Sequence, residues 1–220
     1  MIKLAKIPNL TELTYRSIKQ HVLEGTHEEN ARLTEESLAR QLGISKSPVR
    51  EALNRLESEG LICIEARRGA YVRRFSAKET RDLYDLREVL EVHAIGHAKI
   101  TSRLLSELSK SIRLSEKLLA AGDKAKYVAE DIRFHGLLAS AAANDELCRI
   151  LDNLHTKILL CRYRSYNLSA SASPAAHTRI YRALEQGNCS EAQTAMQEHI
   201  RFVRDRLLES LDEDKPLSAD

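Results

Sequence analysis

The stretch TEESLARQLGISKSPVREALNRLESEGLI, residues 34–62, decides how the N-terminal part of this chain folds. Thr34 offers an acceptor side chain at a helix start, Glu35 and Glu36 place acids in the first turn, and Gly43 supplies a stop, which predicts a helix of about two turns. Ser45 opens a second helix. In it Val49, Ala52, Leu53 and Leu56 recur on one side, Pro48 is tolerated in the first turn, and Gly60 ends the segment. Two helices joined by a turn at Gly43 make a helix-turn-helix. Upstream, residues 11–24 carry Leu13, Ile18 and Val22 at helical spacing before a stop at Gly25, which predicts a preceding helix. Downstream the period changes. In LICIEARRGAYVRRF, residues 61–75, β-branched and aromatic residues flank a turn at 66–69, which predicts a small hairpin.

The chain has 220 residues, 43% of them hydrophobic, with 34 Lys and Arg against 32 Asp and Glu and no Trp. That composition fits one fair-sized domain or two small ones and excludes a disordered, collagen-like or disulfide-dense chain. The longest uncharged run, Ser165 to Thr178, is polar and too short to cross a bilayer, and no apolar signal segment follows the start, so a cytoplasmic protein with no membrane partner is expected. Cys63, Cys148, Cys161 and Cys189 lie far apart without a C-x-x-C pair, which predicts free buried thiols. The formal charge of +2 divides near residue 75 into +3 before and −1 after, so local clustering must identify the partner.

After Phe75 the pattern is helical throughout. Breaks at Gly122-Asp123, residues 143–145, the Ser-rich stretch before Pro174 and Gly187-Asn188 leave six helices, near 77–99, 102–121, 124–142, 145–166, 174–186 and 189–211. A helical bundle follows. The fold class is therefore mainly α: an N-terminal winged helix-turn-helix over residues 8–75, an all-α six-helix bundle over 76–212, and a tail at 213–220.

Ser45, Lys46, Ser47 and Arg50 lie off the apolar stripe at the start of the second helix of the pair. This is where a recognition helix meets base edges, and long cations suit the O6/N7 pair of guanine. The hairpin adds Arg67, Arg68, Arg73 and Arg74 with no acid between Ala66 and Phe75. Residues 11–75, above all LTEESLARQLGISKSPVREALNRLESEGLI and RRGAYV, resemble the winged helix-turn-helix of the GntR family of bacterial transcription regulators. The resemblance implies that Lys46, Ser47 and Arg50 contact a DNA operator and that the tip around Arg68-Gly69 enters the minor groove, with Arg67 beside it. Lys46 stands where Arg is commoner in the family, which keeps the charge but loses the bidentate fork.

In the second half, Asp131 and His135 fall about 40° apart on the stripe of Val128, Ile132, Leu138 and Ala142. His177 lies beside Ile180, Tyr181 and Leu184, and His199 among Ala192, Ala195, Met196, Phe202 and Val203. Each could be an independently hydrogen-bonded core residue; a shared divalent cation would satisfy all four together. His93 and His97 form a rival i,i+4 pair on the stripe of Leu86 and Leu90, and spacing alone excludes neither. Residues 77–211 resemble the FCD domain of the FadR subfamily, in its shorter VanR-like group. That resemblance implies a metal held by Asp131, His135, His177 and His199, and leaves His93 and His97 as pocket or core residues. Three imidazoles and one carboxylate make Zn²⁺ the leading ion, with Ni²⁺ or Mn²⁺ as alternatives. It also implies a small carboxylate, sugar-acid or hydroxy-acid effector. Arg87 could pair with its carboxylate or form a surface ion pair with Glu91; Arg162 and Arg164 are weaker candidates.

Together these readings predict a regulator and not an enzyme: a homodimeric repressor on a palindromic double-stranded operator, responding to a small acid. Two rivals remain. A metal-dependent hydrolase could use the same ligands to activate water, although no H-E-x-x-H motif is present; an architectural DNA binder would carry the metal for structure alone.

Overall fold

The computed structural model describes residues 9–23, 32–65 and 69–213, apart from the side chains of 163–165, 212 and 213. The chain divides into two compact units, Met1–Arg74 and Phe75–Asp220.

In the first unit, α1 (Leu10–Leu23) packs on α3 (Lys46–Ser58) through Tyr15, Ile18 and Val22. Leu13, expected on the buried stripe, is instead half exposed. Tyr15 takes the core position because its ring lies under Arg55, 3.6 Å from the centroid, and its hydroxyl donates to Glu59 at 2.6 Å. An aromatic body with a polar tip can be buried where that tip finds an acceptor.

α2 (Glu35–Leu42) begins with the Thr34 side chain accepting from the Ser37 amide at 3.1 Å and ends at Gly43, whose φ of 65° is left-handed. With no heavy atom within 4 Å of a Cβ built there, only backbone strain opposes a side chain. Gly43→Ala should therefore cost the helix-turn-helix about 1 kcal/mol, read as a lower urea midpoint with the same m-value.

The hairpin pairs β2 (Ile62–Glu65) with β3 (Gly69–Val72) in antiparallel register, Ile62 opposite Val72 and Glu65 opposite Gly69. A third strand, β1 (Arg32–Leu33), adds to the other side of β3 and gives the order β1-β3-β2. Two residues carry no detectable period, so the sequence pattern did not reveal β1.

The second unit holds six helices among the described residues: α4 (Ala77–His97), α5 (Ser102–Ala120), α6 (Lys124–Ala141), α7 (Asp145–Ser169), α8 (Ser173–Glu185) and α9 (Cys189–Glu213). Their starts are fixed by side-chain caps: Ser76 with Glu79 in a capping box, then Thr101, Asp123 and Asn144, with Pro174 in the first turn of α8. Each cap satisfies amides that a helix start leaves unbonded. A continuous core of Phe134, Leu138, Leu151, Ile158, Ile180, Met196, Ile200 and Val203, with others, fills the bundle. α9 packs on α4, α7 and α8, and α6 on α4, α5 and α7, so α6, α8 and α9 bring their inner faces close together. No helix among the described residues is long and apolar enough to cross a membrane.

The four cysteines are free, but only Cys161 is buried; Cys63 and Cys189 are exposed and Cys148 is intermediate. Cys63 sits on a hairpin with one open face, and Cys189 at a helix start, so neither position is enclosed.

Candidate metal centre and DNA-facing residues

On α3 the residues expected to meet DNA are all exposed. Ser45 sits at the N-cap without a side-chain capping bond. Arg50 is held bidentate by Glu35, both bonds at 2.8 Å, and Lys46 lies 3.7 Å from Glu36. Ser47 reaches Glu51 at 3.5 Å. Acids in the first turn of α2 thus hold both cations near the surface of the helix pair. Arg67 and Arg68 lie outside the described residues. Gly69 adopts φ 104°, and a Cβ there would stand 3.0 Å from Arg32 Nε, so its conformation also serves the pairing of β3 with β1.

In the helical unit, Asp131 and His135 on α6, His177 on α8 and His199 on α9 are all buried, and one donor atom from each lies within 4.8 Å of the others. His177 Nε2 stands 3.3 Å from His199 Nε2 and 3.8 Å from Asp131 Oδ1. The His177 ring is fixed by stacking on Phe134, 3.9 Å between centroids and 8° from parallel.

Around this cage lies a layer of charged groups. Glu91, wholly buried on α4, accepts from Arg87 Nε at 2.6 Å, from His135 Nδ1 at 2.5 Å and from His155 Nε2 at 2.8 Å. The bond to Glu91 sets the His135 tautomer: Nδ1 carries the proton and Nε2 keeps a lone pair. That buried Nε2 has no hydrogen-bond partner among the described residues, and neither has His177 Nδ1. Arg162, buried on α7, donates to Asp131 Oδ1 at 2.9 Å, Ser169 at 3.0 Å and Ser173 at 3.5 Å.

The electrostatics favour neutral rings beside ionised acids. Burial pushes His177 down to about 3 and His199 well below the usual histidine range, with the neighbouring rings adding to the effect and Asp131 opposing it. Burial likewise lowers His135, against the pull of Glu91. For Asp131 burial acts upward, but Arg162 and the three rings outweigh it and hold the carboxyl below its ordinary value. Glu91 is held well below its own, where Arg87 and His135 overcome the same desolvation.

These residues fit a divalent cation. Neutral imidazole lone pairs and a carboxylate are the donor set of zinc and its neighbours, and ligand bonds of ~2.1 Å set donor spacings of roughly 3 to 4 Å, slightly tighter than the cage. The buried Nε2 of His135 asks for an electrophile, and Glu91 already orients it, as second ligands of metal sites do.

His93 and His97 do not join this arrangement. Both are exposed, stacked on each other with centroids 4.1 Å apart, and the reading of them as pocket or core residues is corrected accordingly. The buried face of α4 runs instead through Thr80, Tyr84, Arg87, Glu91 and Ala94, which leaves Leu86 and Val89 outward. Arg87 does pair with Glu91 at i,i+4, but in the core and not on the surface. Arg162 was undervalued and Glu91 and His155 were missed as functional candidates. For Arg87 and Glu91 the only local signal is their helical spacing with Tyr84 and Ala94, which puts them on the buried face of α4; His155 and Arg162 on α7 leave no such signal.

A winged helix-turn-helix followed by a helical domain with a buried Asp/His₃ cluster defines a class of regulator, and comparison with known proteins supplies its family. Residues 10–72 match the family model for bacterial regulatory proteins of the gntR family, and residues 82–202 match the FCD domain. The chain is 30% identical to the Nta operon transcriptional regulator of Aminobacter aminovorans, over 81% of this chain and 85% of that protein. It is 30% identical to the gluconate operon transcriptional repressor of Bacillus licheniformis, over 62% and 57%. A GntR regulator structure from Rhodococcus sp. RHA1 superposes with a TM-score of 0.82 at 23% identity, covering 91% of this chain and 98% of that one. The chain belongs to the GntR family of transcriptional regulators and carries a C-terminal FCD domain.

Proposed function

We propose that the protein is a homodimeric repressor that binds a palindromic operator and changes its grip when a small carboxylate or sugar acid binds at a divalent metal. Asp131, His135, His177 and His199 hold the ion, with Zn²⁺ the leading candidate and Ni²⁺ or Mn²⁺ the alternatives. The DNA-binding and sensing units divide near residue 75, and the protein acts in the cytoplasm. The metal supplies a Lewis-acidic point to which an anion can bind.

The observation that carries this reading is the charge balance of the buried layer. Asp131 is offset by Arg162 and Glu91 by Arg87, while the imidazoles are neutral, so the protein groups already sum to zero. A divalent cation adds two positive charges to a site shut off from water, and an anionic effector restores the balance. One relative's name places it at a gluconate operon as a repressor, which agrees with a sugar acid and with repression. A hydrolase would leave the exposed cations of α3 without a role.

On the DNA side, Ser45, Lys46, Ser47 and Arg50 address the major groove and Arg67, Arg68 and Gly69 the minor groove. Arg50 exchanges Glu35 for a base or phosphate. Arg50→Ala should weaken binding to a duplex selected by the protein from a random pool by about 1–3 kcal/mol, roughly 5- to 150-fold, with the helical content unchanged. Unchanged affinity would remove α3 as the reading helix. The sensing half is tested by titrating the zinc-loaded protein on that duplex with small acids: a shift in DNA affinity is expected, and none with any acid leaves the metal a structural role only.

A further inference from the structure

The cage side chains are enclosed, so an ion must pass between helices to reach them. His199, at 4% exposure the least enclosed of the four, lines a cavity of about 190 Å³ between α8 and α9. Ala176 and Arg179 of α8 form one wall, and Ala195, Glu198 and Phe202 flank His199 on the α9 wall. Both sets recur at steps of three or four residues, so each is one helix face. Alanines opposite one another leave the gap between the faces unfilled. At about 30 Å³ per water the space takes several waters, enough for a cation that keeps part of its hydration shell.

Arg179, Glu198 and Phe202 are exposed while His199 is buried, so the cavity runs from the surface to a cage ligand. Its rim is charged. Arg179 reaches across from α8 to two acids of α9, donating to Glu191 at 2.8 Å and also to Glu198. One cation against two acids leaves this trio at −1, which draws a cation to the rim, while the bridge itself clips α8 to α9. We infer that the cavity is the port through which the divalent ion enters and leaves the cage, with Glu191 and Glu198 as collecting acids and Arg179 as the latch. The inference rests on the metal reading above and adds the route. It assigns the port control of rates and not of affinity, because a wall residue changes the path equally in both directions and leaves the ligands in place.

The test is stopped-flow exchange of zinc on the full-length protein, with a coloured chelator reporting the free ion. Uptake is followed after mixing metal-free protein with zinc, and release after mixing zinc-loaded protein with excess chelator. Ala176→Leu, which puts a branched side chain into the gap, should slow both rates about tenfold. Phe202→Ala, which widens the rim, should speed both about threefold, and the dissociation constant of zinc should stay unchanged in each variant. Arg179→Gln should also speed both, because the latch is gone and the collecting acids remain. Unchanged rates in Ala176→Leu and Phe202→Ala overturn the port and leave the metal site standing, the result expected if the ion enters by local opening of the bundle. A changed dissociation constant without matched changes in the two rates overturns it as well, since the wall would then be shaping the cage. If the wild type takes up no zinc, the metal reading falls and this inference with it. Should Ala176→Leu fail to fold, Phe202→Ala, at an exposed position, decides alone.

Discussion

Asp131→Ala is expected to destabilise the metal-free helical unit by about 3–5 kcal/mol, a large share of a domain's usual stability. The cause is what remains behind. Arg162 is only 2% exposed, and among the described residues Asp131, 2.9 Å away, is the acid it pairs with. Removing that carboxylate leaves a buried guanidinium with two serine acceptors and, among the described residues, no paired acid. Urea unfolding in the presence of a chelator, followed by helical signal, measures the loss without any contribution from metal. A double variant, Asp131→Leu with Arg162→Met, should recover most of it, because well-packed apolar groups can replace a buried ion pair at little cost. A single-variant loss below about 1 kcal/mol would show that the pair is not needed to hold α6 against α7, and Asp131 would then matter for ligand binding alone.

Much of this arrangement was legible before any coordinates, for physical reasons that also mark where legibility ends. The helix-turn-helix was readable because caps and stops are local: Thr34 accepts from the Ser37 amide three residues on, and Gly43 turns the chain by its own left-handed backbone. Most helices of the bundle were delimited by the same kind of local signal, the breaks at Gly122-Asp123, residues 143–145, the stretch before Pro174 and Gly187-Asn188, where Asp123 and Asn144 act as caps and Pro174 sits in a first turn. Asp131 and His135 could be placed together from an i,i+4 spacing. Bringing His177 and His199 to them depends on how α8 and α9 pack, which no single segment encodes; there the family resemblance supplied what periodicity could not.

The charged layer behind the cage was harder to see. Helical periodicity assigns apolar residues to the inside and ions to the outside, and that rule fails where ions neutralise one another in the core. Arg87 and Glu91 therefore read as a surface pair, while Leu86 and Leu90 drew His93 and His97 inward by association. In the structure the relation on α4 is reversed: the ion pair is enclosed, and the two histidines stack in the open. His155 and Arg162 were hidden for the same reason, since their roles exist only through partners 64 and 31 residues away in the chain.

Loading with Zn²⁺ should produce the other large effect. A ligand that binds only the folded chain adds about 4 kcal/mol at a thousand times its dissociation constant. At roughly 2–4 °C per kcal/mol for a unit of this size, the midpoint should rise by about 8–16 °C and return on chelation. His177→Ala or His199→Ala should abolish the rise and leave the protein without bound metal by elemental analysis. His93→Ala and His97→Ala should leave both unchanged, because their rings lie outside the core; metal content that instead followed His93 and His97 would move the site to the surface of α4. Glu91 separates a preorganised cage from a fortuitous one. It touches no candidate donor atom, yet its bond to His135 Nδ1 turns the opposite lone pair toward the cage. Glu91→Gln retains the shape but removes the charge that fixes this tautomer and offsets Arg87, and it should weaken zinc binding 10- to 100-fold. If zinc affinity were indifferent to Glu91, the buried carboxylate would serve only to pair Arg87 and His155, and His135 would have to find its tautomer without help. Since the same side chain accepts from Arg87, His135 and His155 on three helices, a loss of affinity larger than the loss of apo stability is the result that marks it as a metal-orienting group.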